Sequence, residues 1–160
     1  MQAKMIIRRI WAHEPKIGWD SVLPHHIAKD WKGTLSQLNE IYKLSFSRAM
    51  CPGETHGHPI LVIFSDASMH AYGAVAYIRW ESKGKYTSRL VMAKNRMAPL
   101  KTIDIVRLEL CGAVISVRIR RIITREMNLE FSRVIHLTDS EIVHAMLHRQ
   151  SYGFNTFGAN

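Results

Sequence analysis

Three carboxylates sit where a chain of this pattern can use them: Asp66, Glu109 and Asp139. Asp66 follows the continuous apolar run His58–Ser65, and Asp139 follows Val134–Thr138. If those stretches are parallel neighbouring strands, their ends lie about 4.8 Å apart. Two carboxylates at that spacing repel unless a cation lies between them. Glu109 falls in a helical pattern between the two strands, at the border of its apolar stripe, and can look along the same sheet edge. Three convergent carboxylates offer hard oxygen ligands, which suit Mg²⁺ or Mn²⁺, whereas zinc prefers His or Cys. Two such ions about 3.5–4 Å apart activate a water and stabilise a leaving oxygen in phosphodiester cleavage. Each acid also has a plainer use. Asp139 can start a helix, and Glu109 can pair with an arginine.

The elements that must position these acids can be read from the pattern. His58–Ser65 has apolar residues on both faces and predicts a central strand covered on both sides. Ala71–Trp80 and Tyr86–Ala93 predict two further strands, joined through a turn at Ser82, Lys83 and Gly84 as an antiparallel hairpin. Asp104 is a helix cap, followed by an apolar face of Ile105, Leu108, Cys111, Gly112, Ile115, Ile119 and Ile122. Cys111 on that face reads as a small core residue. Val134–Thr138 is the fourth strand, and Ser140 caps a last helix, Glu141–His148. The order β-β-β-α-β-α predicts a mixed sheet, the fourth strand parallel to the first, with an antiparallel wing.

The N-terminal third reads differently. Lys4–Trp11 is a short amphipathic piece, broken by Pro15 and Gly18. Pro24 opens a helix through about Leu38, with Ile27, Trp31, Leu35 and Leu38 at helical spacing. Ile41–Phe46 is read as a strand. Trp11, Trp19 and Trp31 read as packing anchors, with a stacking platform for bases as the other use, which requires exposure. The loop Cys51–Pro59 is rich in Pro, Gly and His and divides a mostly helical segment, 1–56, from a second domain, 57–160.

With 160 residues and a net charge of +9, the chain favours a polyanionic partner. Seven of the Lys and Arg lie between Ile60 and Lys101 against two acids, Asp66 and Glu81. Lys94, Arg96 and Lys101 follow the third strand and are the candidates for phosphate contacts. Arg118, Arg121 and Arg125 share a helix face that reads as solvated. Two cysteines build no disulfide framework. No apolar run approaches the length of a membrane helix, and the N-terminus lacks a signal-peptide pattern. These features predict an intracellular protein, cytoplasmic or nuclear, with no membrane partner. No HExxH, P-loop or GxGxxG is present. Neither His144 with His148, nor Cys51, His56 and His58, completes a zinc site.

Four stretches in register, FSDASMHAYGAVAYIR (64–79), AKNRMAPLK (93–101), RLELCGAVI (107–115) and HLTDS (136–140), closely resemble the ribonuclease H domain of retroelement polyproteins, most of all the BEL/Pao type. GFNTFGAN (153–160) resembles the segment that follows there. IWAHEPKIGWDSVLPHHIAKDWKGTL (10–35) resembles the connection segment between reverse transcriptase and ribonuclease H. The resemblance implies a ribonuclease H-like fold and two-metal hydrolysis of the RNA strand of RNA:DNA hybrids. It makes Asp66, Glu109 and Asp139 the ligands of two Mg²⁺ or Mn²⁺ ions and needs no protein nucleophile. It also implies the reverse transcriptase region of the same polyprotein as a partner. The family carries a fourth acid, a fifth strand and a last helix beyond the position of Asn160. The chain is therefore expected to be a truncated copy with impaired cleavage. The alternative is a catalytically inactive remnant that binds nucleic acid or packs against a polymerase.

Overall fold

Pro24 lacks an N–H and so fits the start of a helix, where that donor has no partner. Helix α2 (His25–Glu40) begins immediately after it, preceded by helix α1 (Gln2–Trp11). The computed structural model describes residues 1–53, 55, 57–101 and 103–149. It divides into two units, the first Met1–Arg48 and the second starting at Ala49. In the first unit Ile6, Ile27 and Thr34 are buried, and the Thr34 hydroxyl donates to the Asp30 carbonyl (3.0 Å). Arg9 pairs with Asp30 across the two helices at 2.5 Å.

The strand expected over Ile41–Phe46 is not formed. Ile41 keeps helical dihedrals, and Ile41–Lys43 makes one 3₁₀ turn closed by a hydrogen bond from the Leu44 N–H to the Ile41 carbonyl (2.9 Å). Ile41–Phe46 pairs with no strand among the described residues. Tyr42 and Phe46 lie exposed, at 91% and 79%. Trp11 and Trp19 also contradict the packing-anchor reading, because both rings stand in solvent, while Trp31 is half-buried.

The second unit is a four-stranded sheet of β1 (Ile60–Ala67), β2 (Ala71–Ser82), β3 (Lys85–Met97) and β4 (Arg133–Thr138), in the order β3-β2-β1-β4. Strands β1, β2 and β3 run antiparallel in succession, and β4 lies parallel to β1. Helix α3 (Ile105–Glu126) makes the crossover, and α4 (Glu141–Leu147) follows β4. The expected mixed sheet with an antiparallel wing is present. The Asp104 carboxylate caps α3 by accepting the Val106 N–H at 3.1 Å, which satisfies a donor the first turn leaves free. The β2–β3 turn passes through Lys83 and Gly84, both at positive φ, as a tight hairpin requires.

One face of the sheet carries the core. Leu61 and Ile63 of β1, and Ala74, Ala76, Ile78 and Trp80 of β2, pack against Ile115, Ile119 and Ile123 of α3. The helix buries Ile123 rather than the expected Ile122, because four residues after Ile119 return to the same side. The expected cover on both faces of β1 is not found among the described residues. α3 lies on the Leu61/Ile63 side. The alternate residues Ile60 and Val62 are half-buried, and Phe64 is 44% exposed. On that second face Phe64 meets Tyr77 edge-to-face, ring centroids 6.1 Å apart, an arrangement the ring quadrupoles favour. The Arg79 guanidinium lies 3.7 Å over the Tyr86 ring, a cation–π contact. The reading of residues 153–160 lies outside the described residues.

Candidate active site

The parallel register fixes the first two acids. The last paired residues of β1 and β4 are Ser65 and Thr138. Asp66 and Asp139 are the next residues on each chain, so their backbones stand side by side at one end of the sheet, about 4.8 Å apart. Asp66 is also paired with Gly73 of β2.

Two glycines let other elements come close. A Cβ on Gly112 of α3 would lie 3.2 Å from the Asp66 carbonyl oxygen and 3.5 Å from that of Gly73. The helix therefore rests directly on the strand ends at the level of Asp66. Glu109 lies three residues earlier on the same helix face, which brings the third acid to the same end of the sheet. A Cβ on Gly73 would meet the Lys94 carbonyl oxygen at 2.6 Å, so β3 approaches closely as well.

Side-chain partners then decide where each carboxylate points. Glu109 accepts a hydrogen bond from the Ser140 hydroxyl. The same Ser140 oxygen accepts the Val143 N–H at 3.2 Å, capping α4, and the Ser140 N–H donates to Thr138 Oγ1 at 3.3 Å. Ser140 is thus a buried joint between α3, β4 and α4. Asp66 Oδ1 accepts the N–H of the next residue, Ala67, at 2.6 Å. Asp66 and Asp139 are exposed, and Glu109 is half-buried. The backbone gathers the three acids, but the side chains do not close on a common point. Among the described residues no three His, Cys, Asp or Glu side chains form a group that could hold an ion. Asp66 and Glu109 are instead each held by a neutral donor, the Ala67 N–H and the Ser140 hydroxyl.

The donor set, three carboxylates open to solvent or half-open, fits a hard divalent cation by type. The basic residues sit one strand beyond Gly73. Asn95 pairs with Gly73, and Lys94 and Arg96 flank it, paired with Ala74 and Tyr72. Two strand spacings separate this row from Asp66, about 10 Å. Lys94 and Arg96 belong to β3 itself, which runs to Met97, rather than following the strand, while Lys101 lies beyond its end. All three are exposed.

The sequence reading gave Ser140 only its capping role and missed its bond to Glu109; the sole signal was its position beside Asp139. It also missed a polar pair between α3 and β4. The Ser116 hydroxyl donates to the Ala113 carbonyl at 2.8 Å. Its one proton is then spent, so its oxygen is left to accept from the protonated Nδ1 of His136, at 2.9 Å. Burial, with Arg120 nearby, holds the His136 pKa below the usual imidazole value. Cys111 is half-buried, and burial pushes its thiol up, which agrees with a packing rather than a reactive role. The His144 and His148 rings meet edge-on, with centroids 4.7 Å apart. In the Cys51/His56/His58 cluster, His56 lies outside the described residues. Among the described residues no helix is long and apolar enough to cross a membrane.

Comparison with known families matches residues 1–140 to the family described as the Pao retrotransposon-like RNaseH-like domain. Comparison with curated proteins and with solved structures returns no match. The matched span contains β1, α3, β4 and all three acids. With a mixed sheet that sets two of those acids side by side, the chain belongs to the Pao retrotransposon-like RNaseH-like domain family.

Proposed function

We propose that the second unit is a retroelement ribonuclease H that hydrolyses the RNA strand of an RNA:DNA hybrid by an endonucleolytic, two-metal mechanism. The observation that carries this reading is the β1/β4 register, which puts Asp66 beside Asp139 at the end of the sheet where Gly112 seats α3 and Glu109. Asp66, Glu109 and Asp139 would hold two Mg²⁺ or Mn²⁺ ions. Once bound, the ions supply activation of the attacking water and stabilisation of the leaving oxygen. The chain's own part is positional. Ser140 holds the Glu109 carboxylate at the site. Lys94 and Arg96, with Lys101 beyond the strand, neutralise backbone phosphates and set the hybrid over the acids. Recognition rests on duplex shape and 2′-hydroxyls rather than base edges. The reverse transcriptase region of the same polyprotein is the proposed partner in place.

A second reading is favoured by one observation, the absence of a closed carboxylate group among the described residues. In that reading the chain binds hybrid, or packs against a polymerase, without cutting. A labelled RNA:DNA duplex with Mg²⁺ or Mn²⁺ separates the two. Metal-dependent cutting of the RNA strand, lost in Asp66→Asn and in Asp139→Asn, is the expected result. A folded chain that binds the duplex and never cuts it overturns the enzyme reading in favour of the second.

A further inference from the structure

Trp11 ends α1, and Trp19 stands at the tip of the next loop. Their rings meet at right angles with centroids 6.5 Å apart. The corner is built rather than loose. The Gly18 N–H donates to Ser21 Oγ and the Ser21 N–H returns a bond to the Gly18 carbonyl, both at 3.2 Å, which pins the turn that carries Trp19. His13 Nδ1 donates to the Pro15 carbonyl at 3.0 Å, and the Lys16 ammonium to the Trp11 carbonyl at 3.1 Å, which fixes the path between the two rings. Yet this ordered corner buries almost nothing. Trp19 is 94% exposed and Trp11 65%, whereas Trp80 in the sheet is 5% exposed.

A rigid indole held in water is a surface awaiting a flat partner. The charge around it says which kind. Residues Met1–Arg48 carry eight Lys and Arg against four Asp and Glu, and Arg8, Arg9 and Lys16 bracket the Trp11 end, Arg9 paired with Asp30 and Lys16 with Glu14. A polyanion with exposed aromatic faces satisfies both features. In a duplex the base faces are stacked on one another, whereas in a single strand they are free.

We propose that the Trp11–Trp19 corner is a stacking site for the bases of single-stranded nucleic acid. It shares with the function proposed above only the class of partner, and it requires no cleavage. Because the corner is pinned before binding, little ordering cost opposes the contact.

The test uses the whole chain, a labelled oligothymidylate of about twenty nucleotides and an RNA:DNA duplex of the same length. Single-strand binding is expected to quench the indole emission and to weaken about tenfold in Trp19→Ala, with Trp19→Phe restoring most of it. Duplex affinity is expected to change less than about twofold. Trp19→Ala is expected to melt close to wild type, because the ring is 94% exposed and its contact with Trp11 is an edge-to-face one at the surface. Asp66→Asn is expected to leave single-strand affinity unchanged, so failure of cleavage and failure of stacking are read separately. Wild-type affinity in Trp19→Ala, equal losses on single strand and duplex, or no quenching by the oligonucleotide would each overturn the proposal.

Discussion

Removing the Ser140 hydroxyl tests the joint that links the fold to the candidate site. In Ser140→Ala, the Val143 N–H loses its cap, which costs about 1 kcal/mol. Glu109 loses a donor to its carboxylate at the same time. A hydrogen bond to a charged group contributes about 1.5–3 kcal/mol when fully buried. Glu109 is only half-buried, so water replaces part of it and about 0.5–1 kcal/mol is the expected share. The sum, about 1.5–2 kcal/mol, corresponds to a fall in Tm of about 5–8 °C for a unit of this size. Ser140→Thr keeps the oxygen and is expected to recover most of the loss. The assay is thermal unfolding followed by circular dichroism, run as a double-mutant cycle with Glu109→Ala. In the Glu109→Ala background, Ser140→Ala is expected to cost only its cap, about 1 kcal/mol. Equal costs in the two backgrounds would refute the Ser140–Glu109 link, and a shift below about 1 °C would refute the joint altogether.

Gly73→Ala is expected to destabilise more than Gly112→Ala in urea unfolding. A Cβ at Gly73 would lie 2.6 Å from a strand carbonyl oxygen, whereas one at Gly112 would lie 3.2 Å from its nearest neighbour. About 2–3 kcal/mol is expected for Gly73→Ala, and the reverse ranking would refute the close-approach argument. His136, its pKa held down by burial, binds a proton more readily unfolded than folded, so stability is expected to fall as pH drops below about 6.5. His136→Asn, with no titrating group, is expected to flatten that slope between about pH 7 and 5; an unchanged slope would remove His136 as its source. Lys94→Ala and Arg96→Ala are each expected to reduce by about one the slope of log affinity for a hybrid duplex against log salt. Unaltered slopes would place the duplex elsewhere on the surface.

The fold of the second unit was legible because its signals were redundant. The continuous apolar run at Ile60–Phe64, the helical stripe from Leu108 to Ile119 and the hairpin turn at Lys83–Gly84 all require the same sheet. Where only one signal existed, the reading failed. Ile41–Phe46 pairs with no strand among the described residues, and Ile41–Lys43 takes the local hydrogen bonds of a 3₁₀ turn. Trp11 and Trp19 look like core residues by type, yet both stand exposed. Burial is a property of what packs against a side chain, and hydrophobicity alone does not supply that neighbour. The apolar second face of β1 shows the same gap. Residue type announces a face to be covered, and among the described elements the cover, α3, lies on the other side.

The site divides along the same line. Which acids reach one end of the sheet is a backbone question, answered by strand order and a register that keeps Ser65 opposite Thr138. Where each carboxylate points is a contest among nearby donors, and none of those donors has a fixed sequence offset from its acid. Ala67 is one residue from Asp66, while Ser140 is thirty-one residues from Glu109. Like charges gathered by a fold must be held apart or neutralised. In this chain a backbone N–H and a serine hydroxyl each take one acid. The same two donors orient Asp66 and Glu109 at the sheet end. A site that reads as three ligands is therefore also two hydrogen-bond donors. Ser140, which touches Glu109 and caps α4 with one oxygen, is the point at which fold stability and site geometry change together.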